Sequence, residues 1–245
     1  MQATASSTSL NEEGPNKAEE ASSSALATAD DPNANSLTDA RPTKYAWSVL
    51  WTIFAVRAIH QLHRQIIGYA YGYQGLGEKF SPFYMISLEY PQMSLYYGLI
   101  ASFVFSSSYS TLGVWAGILS GKMNRKVLLG LACIGWSATT FGAGLVPSFG
   151  FFILMRFMLG GFESACNPAS YALIADYFSP KYRSTANAIE TSGSYVGGGI
   201  ASIGVILIKK YGWRNMYMIM GGLGMALGAF VLAFIKEPGR GVFDF

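Results

Sequence analysis

Six stretches of this chain are long and almost continuously apolar, and each reaches the roughly 20 residues a helix needs to cross the hydrocarbon core of a bilayer. They predict membrane spans at residues 45–69, 93–120, 127–146, 149–175, 186–208 and 213–235. A bilayer core offers no water to backbone N–H and C=O groups, so a span must satisfy its own hydrogen bonds. Helices and closed barrels are the two ways of doing so. The runs are not alternating and far exceed barrel-strand length, so helices are the expected form. Apart from about 20 residues between the first two spans, the connections are short. The expected fold class is therefore an all-α membrane protein, a single bundle of six transmembrane helices at residues 45–245.

The charge distribution divides the chain. Charged residues make up 13% of it, against about 25% in a typical soluble domain. Residues 1–40 hold seven acids and one lysine among Ser, Ala and Asn. Such a segment buries too little apolar surface to offset the entropy of ordering, so residues 1–44 are expected to form a disordered cytoplasmic tail. The tail lacks the basic start and apolar core of a secretory signal. The remaining residues carry sixteen bases and seven acids. Most of those bases sit between the apolar runs, which suits membrane topology and argues against nucleic-acid binding. Arg41, Lys44, Lys122, Arg125, Lys126, Lys181, Arg183, Lys236 and Arg240 collect on one side, and Lys79, Lys209, Lys210 and Arg214 on the other. The positive-inside rule then puts both termini in the cytoplasm, with the Lys209–Lys210 pair running against it. Cys133 and Cys166 both lie inside apolar runs, and no disulfide framework or metal-ligand spacing is present, so no metal or other cofactor is expected.

Some charges lie within the spans. At 100° per residue, Arg57, His60, Gln61 and Arg64 share one face of the first span and His63 lies on its shoulder. Arg156 and Glu163, in the run RFMLGGFE, share a face of the fourth span about 10 Å apart along the axis. A charge at the bilayer centre costs roughly 2.5–3.5 kcal/mol on insertion scales, so these side chains should face a protein interior or a solvated cavity. Glu163 could pair with Arg156 or with a cation of the first span. Three arginines and two histidines against one central acid leave charge for a bound anion to balance. Glu190 is expected at the membrane interface, and Pro168 is expected to bend the fourth span beside the charged pair.

Several motifs, in order along the chain, resemble the major facilitator superfamily. GILSGKMNRK at residues 117–126 resembles its loop signature Gly-x-x-x-Asp-Arg-x-Gly-Arg-Lys. Gly117, Arg125 and Lys126 match and Lys122 stands for the first Arg, whereas Gly121 replaces the Asp and Asn124 the second Gly. RFMLGG resembles the family's Arg-x-x-x-Gly pattern in the fourth span. DYFSPKYRSTANA at residues 176–188, with Asp176 and Arg183, resembles the acid-x-x-x-Pro-x-x-Arg connection to the fifth. GSYVGGG, with Gly193, Gly197, Gly198 and Gly199, resembles the glycine-rich antiporter motif, with Gly198 where Pro is usual. KEPGRG at residues 236–241 resembles the exit from the sixth span. Within the superfamily, NRK, the Arg156/Glu163 spacing, IAD at residues 174–176 and EPGRG most resemble the spinster-like lipid transporters and their organic-anion relatives. In that group the first span usually carries Asp-Arg, and here His63 and Arg64 stand at those positions.

The resemblance implies one half of a transporter, built as three-plus-three inverted repeats, with its site at the midplane. It implies a substrate and coupling cavity formed by Arg57, His60, His63, Arg64, Arg156 and Glu163. It also implies a gating loop of Gly117, Lys122, Arg125, Lys126, Asp176 and Arg183, and helix packing through the four glycines. The expected function is secondary transport of a small, anionic, organic or lysolipid-like solute by alternating access, not enzymatic catalysis. The expected partners are that solute, membrane lipids, a coupling proton or sodium ion, and a second six-span half that is missing or carried by a separate chain. A non-transporting membrane scaffold or regulator is the alternative. An intramembrane serine protease fits less well, because both histidines precede every candidate serine and ILSG lacks the leading glycine of a nucleophile site.

Overall fold

In a computed structural model, which describes residues 41–237 and 239, every regular element is helical. The first is α1 (Lys44–Gly72), capped by the Thr43 hydroxyl, which accepts from the Ala46 amide at 3.1 Å. A loop holding a short 3₁₀ turn (Gly77–Lys79) and the one-turn helix α2 (Ile86–Glu89) leads to α3 (Met93–Gly98). That helix runs through a π-helical segment, Leu99–Val104, into α4 (Phe105–Lys122). Then follow α5 (Arg125–Ala143), α6 (Phe149–Glu163), α7 (Cys166–Tyr177), α8 (Pro180–Ala201), α9 (Ile203–Tyr211) and α10 (Trp213–Phe234). Of the expected tail at residues 1–44, residues 1–40 lie outside the described residues, as does the end of KEPGRG.

Five helical stretches are long and apolar enough to cross a membrane: Met93–Lys122, Arg125–Ala143, Phe149–Tyr177, Pro180–Tyr211 and Trp213–Phe234. The remaining expected span, residues 45–69, is the helix α1. The helix α1 has 29 residues, ample length, but its internal arginines, histidines and glutamines keep it out of that set. It does not need uniform apolarity, because it packs along α8 and touches α7, α9 and α10. The fourth and fifth spans each break once. The fourth breaks at Ser164 and Ala165, where Pro168 can neither donate to the Ser164 carbonyl nor fit its ring beside it. The fifth breaks at Ser202.

The interior has two apolar cores rather than one. The first gathers residues such as Val56 of α1, Phe105, Trp136, Leu159, Ala186 and Val231. The second gathers Leu62, Ile100, Ala143, Phe152, Ala201 and Met220. Each long helix thus feeds one end to each core, and the residues between them form a layer of different character. In that layer lie Arg57 and His60 of α1, Ser137 of α5, Arg156 of α6 and Glu190 of α8.

The two ends are closed by different means. At the end carrying the basic loop, Asn124 caps α5 by accepting from Val127 N at 3.1 Å, so the residue standing for the family's glycine has a structural role of its own. Glu237 accepts from Arg125 N and Lys126 N at 3.0 and 3.2 Å, satisfying two more first-turn donors. At the opposite end, Glu89 accepts from Trp213 Nε1 at 2.9 Å and Arg214 Nε at 3.1 Å. Arg214 also donates to the Val146 and Gly144 carbonyls and to the Tyr90 hydroxyl. Burial lifts the Tyr90 phenol above its ordinary value, against the opposing pull of Arg214. Gly212 there has φ of 84°, and a side chain would meet the Phe83 carbonyl.

The glycines of α8 differ from one another. A Cβ on Gly197 would lie 2.0 Å from the Ala58 carbonyl oxygen, and one on Gly193 2.8 Å from that of Phe54, so these two let α8 lie against the backbone of α1. Gly198 faces only the flexible Gln65 amide, 3.1 Å away, and Gly199 has nothing within 4 Å. Gly199 is therefore not a packing residue within this bundle, which corrects the expectation for it. Gly197→Ala is expected to destabilise the protein by about 1–3 kcal/mol through overpacking. Gly199→Ala should be neutral or stabilising by up to about 1 kcal/mol, because alanine favours the helix. Thermal unfolding of the two variants in lipid nanodiscs checks the pair; equal melting temperatures would contradict the packing assignment.

Candidate functional site

The layer between the two cores is polar. His60, His63, Arg156, Glu163 and Glu190 are all buried. Glu163 ends α6 at the break before Pro168, and the nearest basic side chain is His60, whose Nε2 lies 3.5 Å from Oε2. Neither carboxylate oxygen of Glu163 accepts a hydrogen bond among the described residues. The guanidinium groups of Arg64, Arg156 and Arg57 act on it at longer range. His60 stands edge-on to Trp136, with centroids 5.6 Å apart. His63 Nε2 lies 3.1 Å from the Met220 carbonyl. It packs where Gly224 leaves room, since a Cβ there would approach His63 Cε1 to 2.7 Å.

The three arginines are not equivalent. Arg57 is committed: its Nε donates to Ser194 Oγ at 2.8 Å, its Nη1 donates to Asn167, and Glu190 lies 3.6 Å away. Asn167 in turn donates to the Tyr109 hydroxyl at 3.2 Å, which ties α1, α4, α7 and α8 together. Glu190 is therefore a buried partner of Arg57 rather than an interfacial acid. The sequence position near the start of the fifth span gave the wrong depth because α8 begins at Pro180, ten residues earlier.

Arg64 and Arg156 donate no hydrogen bond among the described residues. Their guanidinium carbons sit 4.7 and 5.9 Å from the centre of one ring, that of Phe105. Both line a cavity of about 340 Å³ whose other walls are Gln61, Gln65, Ala101, Ser102, Phe105 and Ser106. Its volume is at the lower end of small-molecule sites, roughly 300–1,000 Å³. Of the six residues expected in the cavity, Arg64 and Arg156 form its wall. Arg57, His60, His63 and Glu163 lie in the surrounding layer.

The other walls were not foreseen, except that Gln61 shares the face of Arg57 and Arg64. Applying the rule for buried charges to neutral polar side chains would have flagged Gln65 on that same face. Nothing in the sequence marks the π-helical segment Leu99–Val104, which brings Ala101, Ser102, Phe105 and Ser106 to one wall; such segments recur at functional sites.

Of the residues expected in the gating loop, Arg125 pairs with Asp176 and donates to the Ala172 carbonyl at 3.1 Å. Arg183 donates to the Phe178 and Ala175 carbonyls at 3.1 and 2.9 Å, closing the turn between α7 and α8. Lys126 Nζ reaches the Leu232 carbonyl at 3.4 Å. Gly117 and Lys122 are exposed on α4.

Residues 43–243 match the Major Facilitator Superfamily, and the chain belongs to that family of membrane transporters. It is a multi-pass membrane protein. It is 30% identical over 132 residues to a probable L-galactonate transporter of Escherichia coli, covering 53% of this chain and 29% of the relative. A probable galactarate/D-glucarate transporter of the same species is 30% identical over 142 residues, 55% of this chain and 32% of the relative. The zebrafish (Danio rerio) sphingosine-1-phosphate transporter is 27% identical over 145 residues, 58% of this chain and 29% of the relative. The fold superposes on a bacterial homolog of the human lysosomal transporter Spinster, in an inward-facing, unoccupied conformation. The TM-score is 0.67 at 23% identity, covering 82% of this chain and 45% of that one. The chain thus spans less than half the length of the proteins it matches.

The division among the arginines is measurable. Arg57→Ala should destabilise the protein by about 3–5 kcal/mol, because it strands the buried Glu190. Arg64→Ala should cost at most about 1 kcal/mol, the worth of an exposed cation–π contact. Comparable melting temperatures for the two variants would show that Arg57 is not the structural member.

Proposed function

We propose that this chain carries one wall of the substrate site of a secondary transporter, and that the solute is a small organic anion moved by alternating access. The observation that carries this reading is the pair of guanidinium groups, Arg64 and Arg156, both set against the Phe105 ring without hydrogen-bond partners among the described residues, in a polar cavity between two apolar cores. Arg57 and Glu190 offset one another. With both imidazoles neutral, Arg64 and Arg156 against Glu163 leave one positive charge in excess, which a monoanion balances. Relatives named for galactonate, galactarate and sphingosine-1-phosphate transport all handle anions, which supports the reading. Arg64, Ser102 and Ser106 are exposed on the open side of the cavity, where a second six-span half, on this or another chain, would complete it. Glu163 is the group we assign to ion coupling. It is the acid of the layer that has no arginine pair, it ends a helix at a break, and it faces His60.

Lysine cannot copy the two-pronged geometry of a guanidinium group on a carboxylate or phosphate. Arg156→Lys should therefore lower anion uptake by cells expressing the protein by about tenfold or more, the worth of one lost charge-assisted hydrogen bond. Membrane insertion should be unchanged. Normal uptake by that variant would remove Arg156 from the site.

Glu163→Gln tests coupling separately. It should abolish accumulation driven by a pH gradient while sparing solute exchange across the membrane, since exchange moves no net proton. Loss of both together with poor expression would instead mark Glu163 as a structural counter-ion, because removing it would leave buried cations uncompensated.

A further inference from the structure

Two kinds of anion fit a pair of arginines: a compact hydroxylated acid, and a lipid headgroup with a long apolar tail. We propose that the cavity is built for the first. Its substrate is a polyhydroxylated carboxylate, and Gln61, Gln65, Ser102 and Ser106 read its hydroxyl groups. This rests on the reading of the cavity as the anion site and goes beyond it by naming the solute's chemistry and the residues that select it.

The serines carry the first part of the argument. In a helix a serine hydroxyl commonly bonds back to a carbonyl of the preceding turn. Along the run Phe105–Ser106–Ser107–Ser108, Ser107 bonds to the Val104 carbonyl at 3.0 Å and Ser108 to the Phe157 carbonyl. Thr111, one turn on, bonds to the Ser107 carbonyl at 2.8 Å. Ser102 and Ser106 face the cavity, and neither hydroxyl is bonded to another described residue; the same is true of the exposed Ser110, which lies away from the cavity. Ser102 and Ser106 lie four residues apart, across the junction of the π-helical segment with α4, and so stand one above the other on the same wall.

The facing wall repeats the arrangement. Gln61 and Gln65 are also four apart, on α1, and neither carboxamide is hydrogen-bonded to another described residue. Each amide offers two N–H donors and a carbonyl acceptor, and each hydroxyl one donor and acceptor lone pairs. The cavity therefore opposes two ladders of uncommitted donors and acceptors, with Arg64 and Arg156 supplying the fixed positive charge. A ligand with a carboxylate and several hydroxyls along a short chain matches that pattern. A lipid tail would leave the same four groups unpaired, and an unpaired polar group shut away from water is costly.

An apolar trough of similar volume, about 340 Å³, does exist, but elsewhere. It is lined by Leu112, Trp115, Leu119, Leu131 and Phe162, among others, and shares no lining residue with the polar cavity. Phe105 is the only aromatic wall of the polar cavity, and both of its guanidinium contacts are already made.

The test is equilibrium binding to the purified full chain in nanodiscs, by calorimetry, with three probes: gluconate, hexanoate and a lysophosphatidate. Gluconate and hexanoate share chain length and charge and differ in hydroxyls. Gluconate should bind about tenfold or more tighter than hexanoate, as expected where a site is built to hydrogen-bond hydroxyl groups. The ratio should fall to within about threefold in Ser102→Ala/Ser106→Ala and in Gln61→Leu/Gln65→Leu. Arg156→Lys should weaken both acids together and keep their ratio. The alanine pair removes only hydroxyls on the cavity surface, so it stands if the leucine pair fails to fold. Equal binding of gluconate and hexanoate, or preferential binding of the lysophosphatidate, overturns the inference but leaves the anion site standing. Failure of all three probes to bind overturns the anion site itself, and the inference with it.

Discussion

The structure depends on a polar layer held between two apolar cores. A helix crossing a bilayer can place an arginine at mid-depth only if the bundle receives it, and here every long helix contributes apolar residues above and below the same level. The helix α1 shows the arrangement most clearly. Its residues through Val56 enter one core, those from Leu62 enter the other, and Arg57, His60 and Gln61 fall between. The same division separates Leu159 from Phe152 around Arg156 in α6. It also separates Val231 from Met220 around Gly224 in α10, where the missing side chain makes room for His63. Had the apolar residues formed one continuous core, these side chains would have had no place to converge.

Within that layer the charges fall into two groups with different physical consequences. Arg57, Glu190, Asn167, Ser194 and Tyr109 form a network in which the guanidinium donors are largely spent, and such a network fixes the relative positions of four helices. Gly193 and Gly197 belong to the same device, because they bring α8 close enough to α1 for Arg57 to reach Ser194. Arg64 and Arg156 rest on an aromatic ring, which holds a guanidinium group in place without using its N–H donors. One group therefore fixes the frame, and the other keeps its N–H donors uncommitted among the described residues.

How much of this was legible in the sequence depended on the kind of signal. Long apolar runs and charges at helical spacing located the bundle and named Arg64, Arg156 and Glu163, because membrane depth makes a charge conspicuous. The helix breaker Pro168 marked its own bend. Neutral polar residues were far less conspicuous: Gln65, Ser102 and Ser106 are unremarkable in composition, and a π-helical segment leaves no propensity signature. The depth of Glu190 was misjudged because it depended on where a helix begins, and helix boundaries are the least certain feature of a sequence. The partners of Arg57 come from helices distant in the chain, which no local pattern could have joined.

The end carrying the basic loop raises a further point of construction. In the family this chain belongs to, the loop signature holds an acid where Gly121 stands, and a glycine can neither pair with Arg125 nor hold the first turn of α5. Here those tasks are divided. Asp176, at the end of α7, takes the side chain of Arg125. Glu237, just beyond α10, takes the backbone N–H groups of Arg125 and Lys126. The segment that bears Glu237 is itself held by α1 and α7, since Lys236 N donates to the Tyr45 hydroxyl at 2.8 Å and the Tyr177 hydroxyl donates to the Lys236 carbonyl. Asp176 and Glu237, at the ends of two other helices, tie the loop to α7 and α10. The loop is thereby fixed within this bundle.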